Sequence, residues 1–339
     1  MPARPGRSVA GPGSRGQPVR RRGARPARRV VGVGSVRVAA IDCGTNSIKL
    51  LIGERTDDGF LVAVRDSRVV RLGQGVDRTG ELATEALERT FAAVEEFART
   101  IEGFGVPADR IRFCATSATR DARNAAVFTT GVEQRLGVRP EVLSGDEEAA
   151  LVFAGALGAA PVTISTPALV VDIGGGSTEL VLGEQQPSQS TSMDIGSVRL
   201  TERHLPDDPP GHEQVAACVA DVDKHLAESG VDVAAARTVV GTSGTIKTIA
   251  CGVLELPGYD REAFDGVTLR TDRTLEFCDD LVAMTVEQRR ALPYMHPGRA
   301  DVIAAGALIW ARILVRSGAE TYVVSEADIL HGMARAIQA

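Results

Sequence analysis

The stretch AAIDCGTNSIKLLIGE at residues 39–54 is echoed by LVVDIGGGSTELVLGE at residues 169–184. Aligned from Ile41 and Val171, the two copies share Asp42/Asp172, Gly44/Gly174, Ser47/Ser177, Leu50/Leu180, Gly53/Gly183 and Glu54/Glu184. Most other columns are apolar in both. Self-similarity of this kind reflects a repeated structural unit and is settled before other patterns are weighed. Each copy reads as strand, tight turn, strand, because two apolar β-rich runs flank small turn-prone residues. Elsewhere strands and helices alternate. Residues 60–71 read as a third strand, and Leu82 to Ile101 keep a helical 3-4 apolar rhythm that ends near Gly103. PEVLSGDEEAALVFAGAL reads as strand, turn, helix; ARTVVGTSGTIKTIACGVL as strand, glycine turn, helix; TYVVSEADILHGMARAI as strand and closing helix. The class is α/β. The repeat predicts two similar domains, residues 36–150 and 151–339, with the segment 326–339 packing back on the first. Facing halves put the two turns on opposite walls of a cleft, where small-molecule sites commonly form.

At 339 residues the chain is long enough for two domains, and its 44% apolar and 24% charged content is ordinary for a soluble globular protein. Five scattered cysteines (Cys43, Cys114, Cys218, Cys251, Cys278) form neither a disulfide framework nor a zinc motif, and read as reduced buried thiols of a cytoplasmic protein. The histidines show no ligand spacing. Residues 1–30 hold nine arginines and no acid, so the rest of the chain carries a net charge of −15. Residues 1–35 therefore read as a disordered cationic tail. A twin-arginine export signal at Arg28-Arg29 is the competing reading, but its apolar run is short, is broken by Arg37 and flows into the first strand of the repeat. No run approaches the roughly 20 apolar residues of a membrane span. Neither membrane nor nucleic acid is an expected partner.

Turns such as DIGGGST present several backbone N–H groups in one direction, and glycine lets a ligand approach without a Cβ in the way. Such nests hold anionic oxygens, phosphate above all. Asp42 and Asp172 at the strand ends would repel phosphate unless a cation lies between. Mg²⁺, which binds through one or two carboxylates plus waters and phosphate, suits that position, with Glu179 as a third carboxylate. One such turn alone has a purely local explanation; two matched copies plus GTSGT at 241–245 argue for a ligand. Only three of the chain's basic residues are lysines, and Lys49 and Lys247 lie in or just after these motifs. Lys247 falls in the first turn of an expected helix, where free N–H groups already favour an anion. Arg120 closes TSATR, where a guanidinium could grip phosphate by two parallel bonds. A solvated surface role is the alternative for all three. In SGDEEAAL, Ser144 and Glu147 match a capping box, which leaves Glu148 rotated about 100° around the helix and free to take a proton from water. The alternative for Glu148 is an ordinary acidic first turn favoured by the helix dipole.

Together, IDCGTNSIKLLI, TSATRDARNA, LSGDEEA, VVDIGGGSTELVLGE, MDIGSVRLTE, VGTSGTIKTIA and RADVIAAGALI resemble the exopolyphosphatase/guanosine pentaphosphate phosphatase family of the actin-like superfamily, in family order from about residue 37 onward. The resemblance implies two actin-like (ribonuclease H-like) domains and an interdomain cleft. It implies hydrolysis of a terminal phosphoanhydride, of inorganic polyphosphate or of guanosine pentaphosphate, with release of orthophosphate. It places Glu148 as catalytic base, and Asp42, Asp172 and Glu179 around Mg²⁺ and the attacking water. Arg120 and Lys247 match residues that contact the phosphate chain. The phosphate loops correspond to Gly44, Thr45, Asn46 and Ser47, to Gly174, Gly175, Gly176, Ser177 and Thr178, and to Gly244 in the third motif. A homodimer is a family-level expectation. An actin-like sugar kinase and a non-catalytic nucleotide-binding regulator are the rival readings; phosphate release without an acceptor sugar discriminates against both.

Longer family members carry a helical C-terminal extension, whereas this sequence stops after ADILHGMARAI. A preference for shorter polyphosphate is therefore expected. Initial rates measured on chains of increasing length should be highest on the short ones; a preference for the longest chains contradicts it.

Overall fold

The computed structural model describes residues 36–56 and 59–337; the arginine-rich segment 1–35, and with it the tail and export-signal readings, lies outside the described residues. Among the described residues, eleven strands form two sheets. The first contains β1 (Val36–Cys43), β2 (Ser47–Thr56), β3 (Gly59–Val69), β4 (Ile111–Ala115) and β5 (Glu141–Val142), in the order β3-β2-β1-β4-β5. The second contains β6 (Ala168–Ile173), β7 (Thr178–Gly183), β8 (Pro187–Met193), β9 (Thr238–Thr242), β10 (Thr268–Arg270) and β11 (Thr321–Val324), in the order β10-β11-β9-β6-β7-β8. Each sheet starts as a three-stranded antiparallel meander and continues through two parallel strands beside the first strand of that meander, and the second sheet adds β10 antiparallel at its edge. The sequence repeat is thus a repeat of topology, apart from that one further strand.

Three apolar cores hold the layers together. The first sheet packs its outer face, including Ile41, Ile48 and Leu50, against the Thr84–Gly103 and Ala125–Leu136 helices, through Val94, Phe97 and Phe128. The second sheet packs Val171, Leu180 and Val239 against the apolar Ile303–Ser317 helix and its neighbours, with Trp310 and Ile309 fully buried. The third core lies between the sheets. There Val38, Ala40 and Leu51 from one side, and Val170, Val181 and Val240 from the other, enclose the Gly145–Gly158 and Ile329–Ala336 helices. The closing helix therefore rests on β1, β2 and the Gly145–Gly158 helix.

These two central helices meet backbone to backbone. A Cβ on Gly155 would stand 2.1 Å from the Asp328 carbonyl oxygen, and one on Gly332 would stand 2.1 Å from the Leu151 carbonyl oxygen. Glycine at both positions permits the approach. Several elements have no counterpart in the sequence reading: β8, and the Ser197–His204, His212–Glu228 and Thr271–Ala283 helices. β8 reads PSQSTSM because it is the solvated edge of its sheet, so it carries no apolar run. Among the described residues no helix is long and apolar enough to cross a membrane.

Replacing Gly155 with Ala should lower stability by about 1–3 kcal/mol through overpacking at the helix crossing. Urea unfolding monitored by circular dichroism checks it; unchanged stability removes the backbone contact from the account.

Candidate active site

The two hairpins of the repeat are built alike. Gly44 N donates to Ser47 O at 3.0 Å and Gly174 N donates to Ser177 O at 2.9 Å. This common turn sets a common register, in which Asp42 stands opposite Lys49 and Asp172 opposite Glu179. The halves then diverge in charge. Lys49 Nζ reaches Asp42 Oδ2 at 2.9 Å, whereas Asp172 faces another carboxylate. Like charges directly opposite one another destabilise a strand pair. Burial drives the Asp172 pKa up to about 6, with the Lys49 cation opposing the rise. Glu179, 2% exposed, is driven to about 7 by burial and then by Asp172, against hydrogen bonds from Ser177 and Ser192. Lys49 is pulled down by its own burial, but Asp42, Asp328 and Asp172 outweigh that and raise it.

The turns meet tip to tip. A Cβ on Gly175 would lie 3.0 Å from the Thr45 Cβ and 3.1 Å from the Asn46 N; one on Gly176 would lie 2.4 Å from the Thr45 hydroxyl. Between them is a cavity of about 60 Å³, room for a few waters or one tetrahedral oxyanion. Asp42, Gly44, Thr45, Asn46, Ser47, Glu148, Asp172, Gly174, Gly175, Ser177 and Glu179 all line it. The turn carbonyls are engaged elsewhere. Thr45 O accepts from Gly73 N (2.9 Å), and Asn46 O from Val70 N (3.0 Å) and Arg71 N (2.9 Å). Gly174 O accepts from Ser197 N (2.9 Å), and Gly175 O from Val198 N (2.8 Å) and Arg199 N (3.1 Å). Across a planar trans peptide, each C=O and the next N–H point in opposite directions. Fixing the carbonyls on one side therefore turns the N–H groups of Asn46, Ser47, Gly175 and Gly176 to the other, as an anion nest requires.

Glu148 enters the cavity from the Gly145–Gly158 helix. Ser144 and Glu147 form the capping box: Glu147 N donates to Ser144 Oγ at 3.3 Å and Ser144 N to Glu147 Oε2 at 2.8 Å. That occupies Glu147 at the surface and leaves Glu148, 7% exposed, facing inward. Burial, Glu179 and Asp42 raise its pKa well above the usual carboxylate range, against the opposing pull of Arg120, whose Nη1 lies 3.3 Å from Glu148 Oε2. Thr178 belongs to the scaffold, its hydroxyl donating to Ile195 O at 2.7 Å.

Gly244 and Lys247 line a second, larger cavity of about 430 Å³, which shares Lys49 with the first. Lys247 is 2% exposed and occupied: Nζ donates to Glu326 O at 2.6 Å and pairs with Glu326 Oε2 (3.1 Å) and Asp328 Oδ2 (3.6 Å). Arg65 bonds the same two carboxylates, and with Lys247 it holds Asp328 well below its ordinary pKa despite burial. Arg299 is different: its Nη1 donates to the Thr248 hydroxyl at 2.8 Å, it forms no ion pair with an acid among the described residues, and burial lowers its pKa. Arg65, Arg261, Arg299, Tyr259 and His296 in this wall were not read from the sequence. Arginine is common throughout the chain, so none stood out. Ser243, just before Gly244, adopts φ 82°, a left-handed strain of the kind that collects at functional sites.

Among the described residues, no group of three or more His, Cys, Asp or Glu side chains forms a ready-made metal cage. The donor set is nevertheless all oxygen, and Asp172 and Glu179 are a buried like-charged pair that a cation would relieve. This suits a hard divalent ion that keeps most of its waters.

Twin actin-like halves closing on acid-flanked glycine turns define a phosphoryl-handling enzyme of the actin-like class. The chain belongs to the Ppx/GppA phosphatase family, whose model matches residues 51–333. It is 45% identical over 313 residues to exopolyphosphatase 2 of Mycobacterium tuberculosis, covering 88% of this chain and 97% of that protein. A crystal structure of an exopolyphosphatase-like protein superposes with a TM-score of 0.85 at 44% identity, covering 89% of this chain and 97% of the other. The guanosine-5'-triphosphate,3'-diphosphate pyrophosphatase of Photobacterium profundum is 34% identical over 215 residues, 62% of this chain and 42% of that protein.

Because the folded state holds protons on Asp172 and Glu179 that the unfolded chain has released, these groups add stability below about pH 4 and lose it as pH rises through about 6 to 7. In chelator, the contribution of this pair to Tm should fall between about pH 5 and pH 8, and Asp172→Asn should flatten that slope. Added Mg²⁺ should raise Tm more at the upper pH than at the lower. Thermal scans of both proteins with and without Mg²⁺ check it; identical slopes contradict the assignment.

Proposed function

We propose that the protein is an exopolyphosphatase: it hydrolyses the terminal phosphoanhydride of inorganic polyphosphate and releases orthophosphate, with Glu148 as general base. The observation that carries this reading is the placement of Glu148. It is a buried carboxylate of raised pKa, steadied by Arg120 in the cavity where both glycine turns open. A base with an elevated pKa is matched to accepting a proton near neutral pH. The terminal phosphate rests on the N–H groups of the two turns. Water attacks its phosphorus and passes one proton to Glu148. The bond to the bridging oxygen breaks, and that oxygen leaves with the shortened chain. Mg²⁺, held by Asp172 and Glu179 with Asp42 nearby, would neutralise phosphate charge. The 430 Å³ cavity beyond Lys49 gives the remaining phosphates a basic wall in Arg65, Arg261 and Arg299. This local charge offsets the acidity of the rest of the protein.

Polyphosphate is favoured because the exopolyphosphatase relative is matched over nearly its whole length. Guanosine pentaphosphate is the second reading, since it presents the same anhydride and Tyr259 offers an aromatic surface in the larger cavity. The purified protein is offered each substrate with Mg²⁺ and no acceptor sugar, and the released orthophosphate is measured. Glu148→Gln keeps the side-chain size and removes the base, so kcat should drop about 100- to 10,000-fold. Tm should hold or rise, because a buried charge is gone. A near wild-type rate rejects the role of Glu148.

A further inference from the structure

The Ser197–His204 helix lies in the half that carries the second glycine turn, and its first N–H groups hold the Gly174 and Gly175 carbonyls. The third carbonyl of the turn is held by a side chain: Arg199 Nε donates to Gly176 O at 2.8 Å. The other two arms of the same guanidinium cross to the first half. Nη1 donates to Asp77 Oδ1 at 2.7 Å, and Nη2 donates to the carboxylate of Asp121, the residue after Arg120. The Arg199 side chain is only 12% exposed. A planar guanidinium spreads its donors over three nitrogens in fixed directions and so spans three separated acceptors; an ammonium gathers its donors on one nitrogen and does not reach across them.

We infer that Arg199 is a positioning residue of the phosphate site, which fixes the Gly176–Ser177 peptide through Nε and is itself oriented by two contacts that exist only when the two halves are together. Holding Gly176 O on the helix side turns the Ser177 N–H away from it, in line with those of Gly175 and Gly176. The nest is then completed by the approach of the first half, and Asp121 ties that approach to the neighbouring Arg120 and so to Glu148. Arg203, one turn further along the helix, supplies the internal control. It pairs with Asp77 at 3.0 Å and Asp221 at 2.8 Å and makes no bond to the glycine turn. The inference rests on the reading of the turns as a phosphate nest.

The test compares Arg199→Ala, Arg199→Lys and Arg203→Ala on whichever of polyphosphate or guanosine pentaphosphate the unmodified protein hydrolyses. No hydrolysis of either by the unmodified protein rejects the functional reading itself. Arg199→Ala should lose about 100-fold in kcat, as expected when a catalytic donor is misplaced. KM, set by contacts along the rest of the substrate, should change by less than about threefold. Arg203→Ala, which only breaks ion pairs, should keep kcat within about threefold. Arg199→Lys should remain at least about tenfold below wild type, and it decides the matter if the alanine variant does not fold. Less than a tenfold separation in kcat between the Arg199 and Arg203 variants, or a loss confined to KM, overturns the inference.

Discussion

Two carboxylates face each other across one strand pair, and the rest of the site follows from that. Asp172 and Glu179 share a register position set by the Gly174–Ser177 turn, and both are buried. The homologous position in the first half carries Asp42 and Lys49, which neutralise each other. A duplicated hairpin has thus become one self-compensated arm and one electrostatically frustrated arm. The frustrated arm holds its protons unusually tightly, and a divalent cation between the two carboxylates would relieve the same conflict. Burying two like charges opposite one another costs stability that a bound cation would restore.

The glycine turns add a second constraint. Their N–H groups can serve an anion only if their carbonyls are satisfied behind them, and each half solves this with a different local element. In the first half the strand-exit segment Val70–Gly73 does it, with Arg71 at φ 52°; in the second it is the start of the Ser197–His204 helix. Backbone polarity is therefore accounted for on both faces of each turn, and the orientation of the nest is a property of its supports as much as of its glycines.

Much of this was legible in the residues. The duplicated hairpin revealed the antiparallel pair that opens each sheet, because the turn bond between Gly44 and Ser47 dictates the pairing of Asp42 with Lys49 and recurs 130 residues later. Glu148 was separable from Glu147 because a capping box accounts for one acid and leaves the other. Some features were hidden for physical reasons. β8 is a polar edge strand with no periodic apolar signal. The partners of Lys247 lie some 80 residues downstream in the loop before the closing helix, and tertiary charge pairing leaves no local trace. Arg299 and Arg65 were masked by the abundance of arginine. The network that Arg65 and Lys247 form with Glu326 and Asp328 joins strand β3, the Ser243–Val253 helix and the loop before the closing helix, which no single stretch of sequence reveals.

The bare crossing of the two central helices has a mechanical corollary. Packed side chains interdigitate as ridges and grooves and resist both twisting and sliding. At Gly155 and Gly332 main chain lies directly against main chain, while Val152, Phe153, Leu330 and Met333 pack around the crossing. Because the two sheets enclose these helices, the missing side chains at Gly155 and Gly332 set how closely the halves can lie together at the base of the cleft.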